Sequence, residues 1–311
     1  MKRRCAFIFS GQGSQFPGMG KLFYDSSKSV RSLYEAAEML RPGTMEIAFG
    51  SDAAALRDTR NTQPCLYLAA LAGAIALGEK GIHADFAAGF SLGELPALAY
   101  AGAFTYEDGF RLVCRRAELM AECAASNPAK MIAVMKLPDE KVEEICHGFA
   151  QAYPVNYNCP GQLVCAVAEN IEKEFVHSVS AAGGKVLTLA VSGGFHSPFM
   201  DKAAVSFAEF LKDFILREPE IPVYSNYSAQ PYVSDIASGL LFSQINHPVK
   251  WQKIIQNMSA EGADVFIEVG AGATLKKFVE KILPGVAAYS IQNYEDISDV
   301  SGEVGHTDAE E

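Results

Sequence analysis

The sequence predicts an α/β fold in which a large subdomain, built on a mainly parallel sheet, carries a small inserted subdomain. Short apolar runs alternate with helical patterns over most of the chain, which is the order that parallel sheets require. Between residues 127 and 191 this order changes to βαββαβ. With 311 residues, of which 49% are hydrophobic, the chain can bury a core of the size that such a fold needs.

The first part of the chain contains two predicted strands and a glycine-rich loop. Residues 4–9 form the first strand, the loop "SGQGSQFPGMG" follows, and residues 85–88 form a second, buried strand. Apolar residues recur at helical spacing in three further segments, which are predicted as helices: 21–40, 63–80 and 106–125.

The insert, residues 127–191, is predicted to be ferredoxin-like. Its strands are "MIAVMKL", "PVNYNCP", "QLVCAVA" and "KVLTLAV", and its helices cover 139–150 and 171–182. The large subdomain, residues 1–126 and 192–294, resumes with helices near 197–216 and 251–261 and strands at 221–224, 265–269 and 287–290.

Charge and composition exclude several classes of function. The formal net charge is −11, but residues 295–311 hold seven acidic and no basic residues and are predicted to be a flexible acidic tail. The rest of the chain has 30 acidic and 26 basic residues, without a basic run, and one Trp, so nucleic-acid binding is not expected.

The apolar runs and the cysteines predict a cytoplasmic protein. The longest apolar run, Cys65 to Gly78, is too short to span a bilayer, and Cys5 to Phe9 is too short for a signal-peptide core. Seven cysteines without a C-x-x-C pair indicate reduced thiols, and neither a metal site nor a cofactor is expected.

The motif "GFSLG" places Ser91 between two glycines, where a strand passes into a helix. This is the pattern of a nucleophile elbow, a sharp turn that exposes a reactive serine. A tight turn whose serine caps the next helix would give the same letters. Because Asp85 to Ala88 forms a strand and Pro96 falls in the first turn of a helix, the context favours the elbow.

A nucleophilic serine needs a base, and His196 is the best candidate among six histidines. It lies in "VSGGFHSPFM", in a loop between a strand and a helix, although a lone loop histidine is more often a plain surface residue. It follows Ser91 in the chain, as in α/β-hydrolases, so we expect the large subdomain to be α/β-hydrolase-like.

An oxyanion hole requires two N–H donors beside the nucleophile. The backbone N–H of Leu92 is one candidate, and that of Gln12 in "GQGSQ" is the second. A phosphate-binding loop or a plain turn is the alternative for the second segment, but neither standard nucleotide-binding glycine spacing is present.

Six motifs, in order, carry a resemblance to a known family: "FSGQGSQFPGMG", "GFSLGELPAL", "RLVCRRAELM", "NYNCPGQLV", "GGFHSPFM" and "FIEVGAG". The chain resembles, from about residue 7 to 293, the malonyl-CoA:acyl carrier protein transacylases of fatty-acid synthesis and the acyltransferase domains of polyketide synthases. The resemblance implies that Ser91 is the nucleophile, His196 the base, and Gln12 and Leu92 the oxyanion donors.

The same resemblance assigns the substrate contacts. Arg116, the second arginine of "CRRAEL", is expected to hold the free carboxylate of malonyl, since a planar guanidinium fits a carboxylate in a bidentate pair. Asn158, Phe90 and Phe195 are expected to contact the substrate. Phe195 matches the aromatic of malonyl-selective members, where a bulky ring disfavours an α-methyl branch.

Two positions depart from the family pattern. Phe90 stands where the family usually has His, so the polarity of the acyl pocket is expected to differ. Lys250 stands where bacterial members usually have Gln, near the backbone carbonyl that orients the family's histidine.

The resemblance implies a monomer that transfers malonyl from malonyl-CoA to acyl carrier protein and needs no membrane. Carrier proteins are acidic, so we expect a local basic face, with these candidates: Lys185, Lys250, Lys253, Lys276 and Lys277. Alternatives are a polyketide synthase acyltransferase acting in trans, a serine hydrolase or thioesterase, and a non-catalytic carrier-binding module.

Overall fold

The computed structural model describes residues 3–50, 52–191, 193–233 and 237–302. The strands are β1 (Cys5–Phe9), β2 (Phe86–Gly89), β3 (Ala129–Met135), β4 (Ala152–Cys159), β5 (Gln162–Ala168), β6 (Lys185–Thr188), β7 (Val223–Tyr224), β8 (Val265–Val269) and β9 (Ala287–Ile291). The helices are α1 (Lys21–Ser26), α2 (Lys28–Leu40), α3 (Thr44–Phe49), α4 (Thr59–Gly78), α5 (Glu94–Tyr100), α6 (Tyr106–Ser126), α7 (Asp139–His147), α8 (Glu172–Ala181), α9 (Asp201–Leu211), α10 (Ala237–Ser243), α11 (Trp251–Ala260), α12 (Thr274–Ile282) and α13 (Tyr294–Ser301).

The large subdomain is built on a parallel sheet with the strand order β7-β2-β1-β8-β9. Every residue of β1 and β8 is buried. Along β1, Phe7 faces one hydrophobic cluster and Ile8 faces another, because side chains alternate across the sheet and helices cover both of its faces. The predicted parallel α/β sheet is confirmed.

The insert forms a separate antiparallel sheet with the order β4-β5-β3-β6. On β3, Ile132 and Val134 pack with α7 and α8, whereas Met131 and Ala133 join the core of the large subdomain. The element order βαββαβ confirms the ferredoxin-like insert. Its sheet therefore has one face covered by its own helices and the other turned toward the large subdomain.

Several element bounds differ from the prediction. The helix expected over 21–40 is divided at Ser27, which adopts an extended conformation (φ −120°) and caps α2 by accepting a hydrogen bond from the Val30 N–H at 3.2 Å. The strand in "KVLTLAV" ends at Thr188, and the helix expected over 197–216 covers only Asp201–Leu211. The helices α3 and α10, each shorter than two full turns, were not predicted. The helix α12 was also missed, although its buried residues Leu275, Phe278 and Ile282 recur at helical spacing.

The predicted flexible tail is wrong for its first part. Residues Tyr294–Ser301 form α13, which begins with a capping box between Asn293 and Asp296. Ile297 and Val300 are buried, three residues apart on one face of this helix, while the acidic side chains lie largely outside that face. The prediction rested on the acidic composition of the segment and did not consider this helical spacing. Residues 303–311 lie outside the described residues.

Within the described ranges, no helix has both the length and the apolar composition that a membrane crossing requires.

Candidate active site

A sharp turn between β2 and α5 holds Ser91. Its φ is 54°, which a residue with a side chain rarely adopts. A Cβ atom at Gly89 would overlap the backbone of Gly93, and one at Gly93 would overlap the carbonyl of Phe9. The two glycines of the motif are therefore required by the close approach of the backbone, as in a nucleophile elbow. The Ser91 N–H donates to Asn226 Oδ1 at 2.6 Å, which fixes the turn.

His196 lies within hydrogen-bond distance of the serine. Its Nε2 is 2.7 Å from Ser91 Oγ, and its Nδ1 is 2.6 Å from the carbonyl oxygen of Gln244. A carbonyl can only accept, so Nδ1 carries the proton and Nε2 of the neutral ring is free to accept the serine hydroxyl proton. Burial, and secondarily the Arg116 charge, lower the pKa of His196 to about 3. The ring is therefore a neutral base near pH 7.

The serine and histidine open into a cavity of about 510 Å³ between the two subdomains. The insert contributes Met131, Ala133 and Val164 to its wall, and α12 contributes Leu275 and Phe278. All eight site residues expected from the sequence line this one cavity: Gln12, Phe90, Ser91, Leu92, Arg116, Asn158, Phe195 and His196.

Arg116 is 1% exposed although it lies on the long helix α6. Its Nη2 donates to Ser91 Oγ at 3.2 Å and to Gln244 Oε1 at 2.8 Å, and its Nη1 donates to Gln63 Oε1 at 2.6 Å. Burial lowers the pKa of Arg116 to about 10, so the guanidinium stays charged near pH 7. Its Nε–H has no hydrogen-bond partner among the described residues. The site thus holds a buried cation beside the nucleophile.

Side-chain hydrogen bonds connect Arg116 to the glycine-rich loop. Gln63 Nε2 donates to Thr59 Oγ1 at 3.0 Å, and Thr59 Oγ1 donates to Gln12 Oε1 at 2.8 Å. The loop residue Gly11 packs against the elbow, since a Cβ there would lie 2.5 Å from the Phe90 carbonyl oxygen. Gln12 and Leu92 line the same cavity as Ser91.

The two phenylalanines form apolar parts of the wall. The Phe90 ring packs edge-on against Trp251, with ring centroids 5.5 Å apart, and lies 6.5 Å from the ring of Phe278. Phe195 is 7% exposed and precedes the histidine directly.

Gln244 was missed by the sequence analysis. The carbonyl that orients the histidine was expected near Lys250, but it belongs to Gln244, six residues earlier. Lys250 instead precedes α11, and its ammonium lies 5.4 Å from the ring of Tyr227. The change at position 250 therefore leaves the hydrogen bond of the histidine intact.

Glu94 was also missed, although it had a signal: it is the one acidic residue in the otherwise uncharged helix segment "ELPALAY". It is fully buried, three residues after the serine. In the part of the chain that the structure describes, no group of three or more His, Cys, Asp or Glu residues could hold a metal ion.

A serine on a strained elbow, hydrogen-bonded to a neutral buried histidine, is the arrangement of enzymes that form an ester on serine. Residues 6–297 match the acyl transferase domain family. The chain belongs to this family and is an acyltransferase.

Proteins of named function are similar to this chain over nearly its whole length. The malonyl CoA-acyl carrier protein transacylase of Staphylococcus aureus is 34% identical over 301 residues, covering 94% of this chain and 97% of the relative. The structure of the transacylase of the same name from Clostridium perfringens has a TM-score of 0.92 at 30% identity, covering 96% of each chain. A malonyl-transacylase solved in complex with a type II PKS acyl-carrier protein has a TM-score of 0.91 at 28% identity, covering 95% of this chain and 98% of that one.

Proposed function

We propose that this chain transfers the malonyl group of malonyl-CoA to the phosphopantetheine thiol of acyl carrier protein, supplying extender units for fatty-acid synthesis. The observation that carries the proposal is Arg116, a buried cation that lines the cavity and whose Nη2 lies 3.2 Å from Ser91 Oγ. A carboxylate on the acyl group would neutralise this charge by pairing with the guanidinium. A simple ester or thioester hydrolase has no need of such a cation.

In the first half-reaction, His196 Nε2 takes the Ser91 proton while Oγ attacks the thioester carbonyl carbon. The backbone N–H groups of Gln12 and Leu92 stabilise the negative charge on the carbonyl oxygen. When the C–S bond breaks, CoA leaves as a thiol with the proton from His196, and a malonyl ester remains on Ser91. No cofactor is required, since the thioester is already activated.

In the second half-reaction, the carrier protein supplies the thiol. His196 takes the thiol proton, the sulfur attacks the ester carbonyl, and Ser91 leaves with the proton returned to its oxygen. The result is malonyl carrier protein and free enzyme.

The remaining cavity residues select the substrate. Asn158 is 4% exposed and lines the cavity, and we propose that its side chain contacts the substrate. Phe195 narrows the acyl pocket against an α-methyl branch. Phe90 gives the pocket an apolar wall.

The chain is proposed to act as a cytoplasmic monomer. Ser91, His196 and Arg116 all come from one chain, so the site needs no partner subunit. All seven cysteines are free thiols, which suits a reducing compartment.

The test is transfer to a carrier protein followed by mass spectrometry of the carrier. With malonyl-CoA, we expect a malonyl mass increase on carrier protein bearing phosphopantetheine and none on the apo form, which lacks the thiol. Release of free malonate without malonyl carrier protein would contradict the transferase proposal and indicate a hydrolase.

A further inference from the structure

Glu94 carries a fully buried carboxylate directly behind the nucleophile. A buried carboxylate is costly unless hydrogen bonds satisfy its oxygens. Here Oε1 accepts from Tyr232 Oη at 2.5 Å and from the Asn226 N–H at 3.1 Å, and Oε2 accepts from Gln244 Nε2 at 3.0 Å. Oε2 of the carboxylate therefore accepts from Gln244, and Oε1 accepts from Tyr232 and Asn226.

This acceptor determines how the Gln244 amide is oriented. Gln244 Nε2 donates both to Glu94 Oε2 and, at 2.9 Å, to the Ser91 carbonyl oxygen. With its NH₂ group held between two acceptors, the amide must turn its oxygen toward Arg116, whose Nη2 donates to it at 2.8 Å. The same Nη2 reaches Ser91 Oγ.

We propose that Glu94 is a positioning residue: through the Gln244 amide it holds the Arg116 guanidinium in the orientation that receives a carboxylate-bearing acyl group. This inference rests on the proposed function. Glu94 touches neither the substrate nor the serine hydroxyl, and acts only through Gln244.

The isosteric change Glu94→Gln tests this inference because it replaces one acceptor by a donor. If the amide at position 94 of the variant keeps its oxygen toward Tyr232 and Asn226, the NH₂ group at position 94 faces the NH₂ group of Gln244. If the Gln244 amide then rotates by 180°, the NH₂ group of Gln244 faces Arg116 Nη2. If the amide at position 94 rotates instead, the NH₂ group at position 94 faces the Asn226 N–H. Each arrangement leaves two donors in contact, which costs the desolvation of a buried polar group.

The experiment measures the rates at which malonyl-CoA and acetyl-CoA load the enzyme in a single turnover, by intact-protein mass spectrometry. For Glu94→Gln we expect the malonyl-to-acetyl rate ratio to fall at least about tenfold, the equivalent of one lost buried hydrogen bond. Acetyl has no carboxylate, so its loading reports the serine and histidine, and the hydrogen bond from Arg116 to Ser91 Oγ, without the contact between Arg116 and a substrate carboxylate. Thermal unfolding verifies that the variant is folded.

The matched control is Tyr232→Phe. It removes a donor to Glu94 Oε1 but leaves Oε2 facing Gln244, so the ratio is expected to stay within about twofold of wild type. An unchanged ratio in Glu94→Gln, or an equal fall of both rates, would overturn the positioning role.

A second variant covers the case in which Glu94→Gln does not fold. Gln244→Met removes the amide itself, and the inference predicts the same loss of malonyl preference, with no further loss in the double variant. A Gln244→Met enzyme with the wild-type ratio overturns the inference. A wild-type enzyme that loads no malonyl contradicts the proposed function instead, so the two failures are distinguishable.

Discussion

Two residues at the centre of the site have backbone conformations that side chains usually prevent. Ser91 has φ 54° and His196 has φ 61°. Strain of this kind persists only where surrounding structure holds it, and it concentrates at functional sites. Asn226 holds the first residue through its side chain, and the Ile245 carbonyl accepts the His196 N–H at 3.1 Å. The hydrogen bond between serine and histidine is therefore a consequence of two fixed turns.

Replacing Arg116 tests the carboxylate contact at the residue scale. In Arg116→Ala we expect malonyl loading to fall at least about a hundredfold, because the substrate carboxylate would be buried without a partner, while acetyl loading changes much less. The measurement is the single-turnover loading rate with each CoA ester. Arg115→Ala is the control, since its side chain is 38% exposed and pairs with Glu118 at the surface. Equal loss with both esters would contradict the assigned contact.

The sequence predicted which residues form the site better than it predicted their burial and hydrogen-bond partners. The motifs pointed to Ser91, His196 and Arg116, and the structure brings all three into one cavity. The burial of Arg116 could not be derived from helical spacing, because a charge on an amphipathic helix normally faces solvent. Gln244 could not be predicted, because it orients the histidine through its backbone carbonyl. Every residue has such a carbonyl, so the residue type gives no signal.

At the element scale, the elbow depends on the packing of three backbone segments. The strand β2, the turn after it and the end of β1 approach so closely that two positions admit only glycine. The strand order explains the crowding, because β1 lies beside β2 in the middle of the sheet. The site therefore lies at the carboxyl ends of parallel strands, where ligands of open α/β sheets bind.

The glycine requirement can be tested with a matched pair. Gly89→Ala should lower the free energy of unfolding by more than about 3 kcal/mol, because the new methyl group would overlap the Gly93 backbone, which cannot move aside. Gly239→Ala, in α10 with open space around it, should be neutral or stabilise by about 0.5–1 kcal/mol. Urea unfolding of both variants is the measurement, and equal stabilities would contradict the packing argument.

Long, regular elements were predicted well and short ones poorly. The helix α6 and the strands of the insert have clear periodicity, whereas α3 and α10 are too short for a pattern to stand out. The acidic tail shows the converse error. The prediction counted charges and overlooked Ile297 and Val300, which lie three residues apart and form the buried face of α13.

At the scale of the whole molecule, the site exists because two subdomains close over it. The insert is joined to the large subdomain where the Tyr157 N–H donates to the Val249 carbonyl at 3.0 Å and the Val249 N–H donates to the Val155 carbonyl at 2.8 Å. This short backbone pairing links β4 to the start of α11. It places the cavity wall from the insert opposite the elbow, which element prediction alone could not reveal.

The buried His196 makes the free energy of unfolding depend on pH. His196 has a pKa lowered from 6.5 to about 3 in the folded protein, so below pH 6.5 the unfolded chain binds a proton that the folded chain does not. Stability is therefore lost as the pH falls. Relative to His196→Asn, the free energy of unfolding of the wild type should decrease by about 1.4 kcal/mol for each pH unit between 6.5 and about 3. Urea unfolding at pH 7 and pH 5 measures this, and parallel curves would mean that the histidine is not held neutral.

The most direct test of the whole account is the covalent intermediate. Wild-type enzyme and Ser91→Ala are mixed briefly with malonyl-CoA, quenched in acid, and analysed by intact-protein mass spectrometry and peptide mapping. We predict a single malonyl adduct on the wild type, located at Ser91, and none on Ser91→Ala. An adduct of equal occupancy on both proteins, or no adduct on a wild type that still forms malonyl carrier protein, would contradict the serine mechanism.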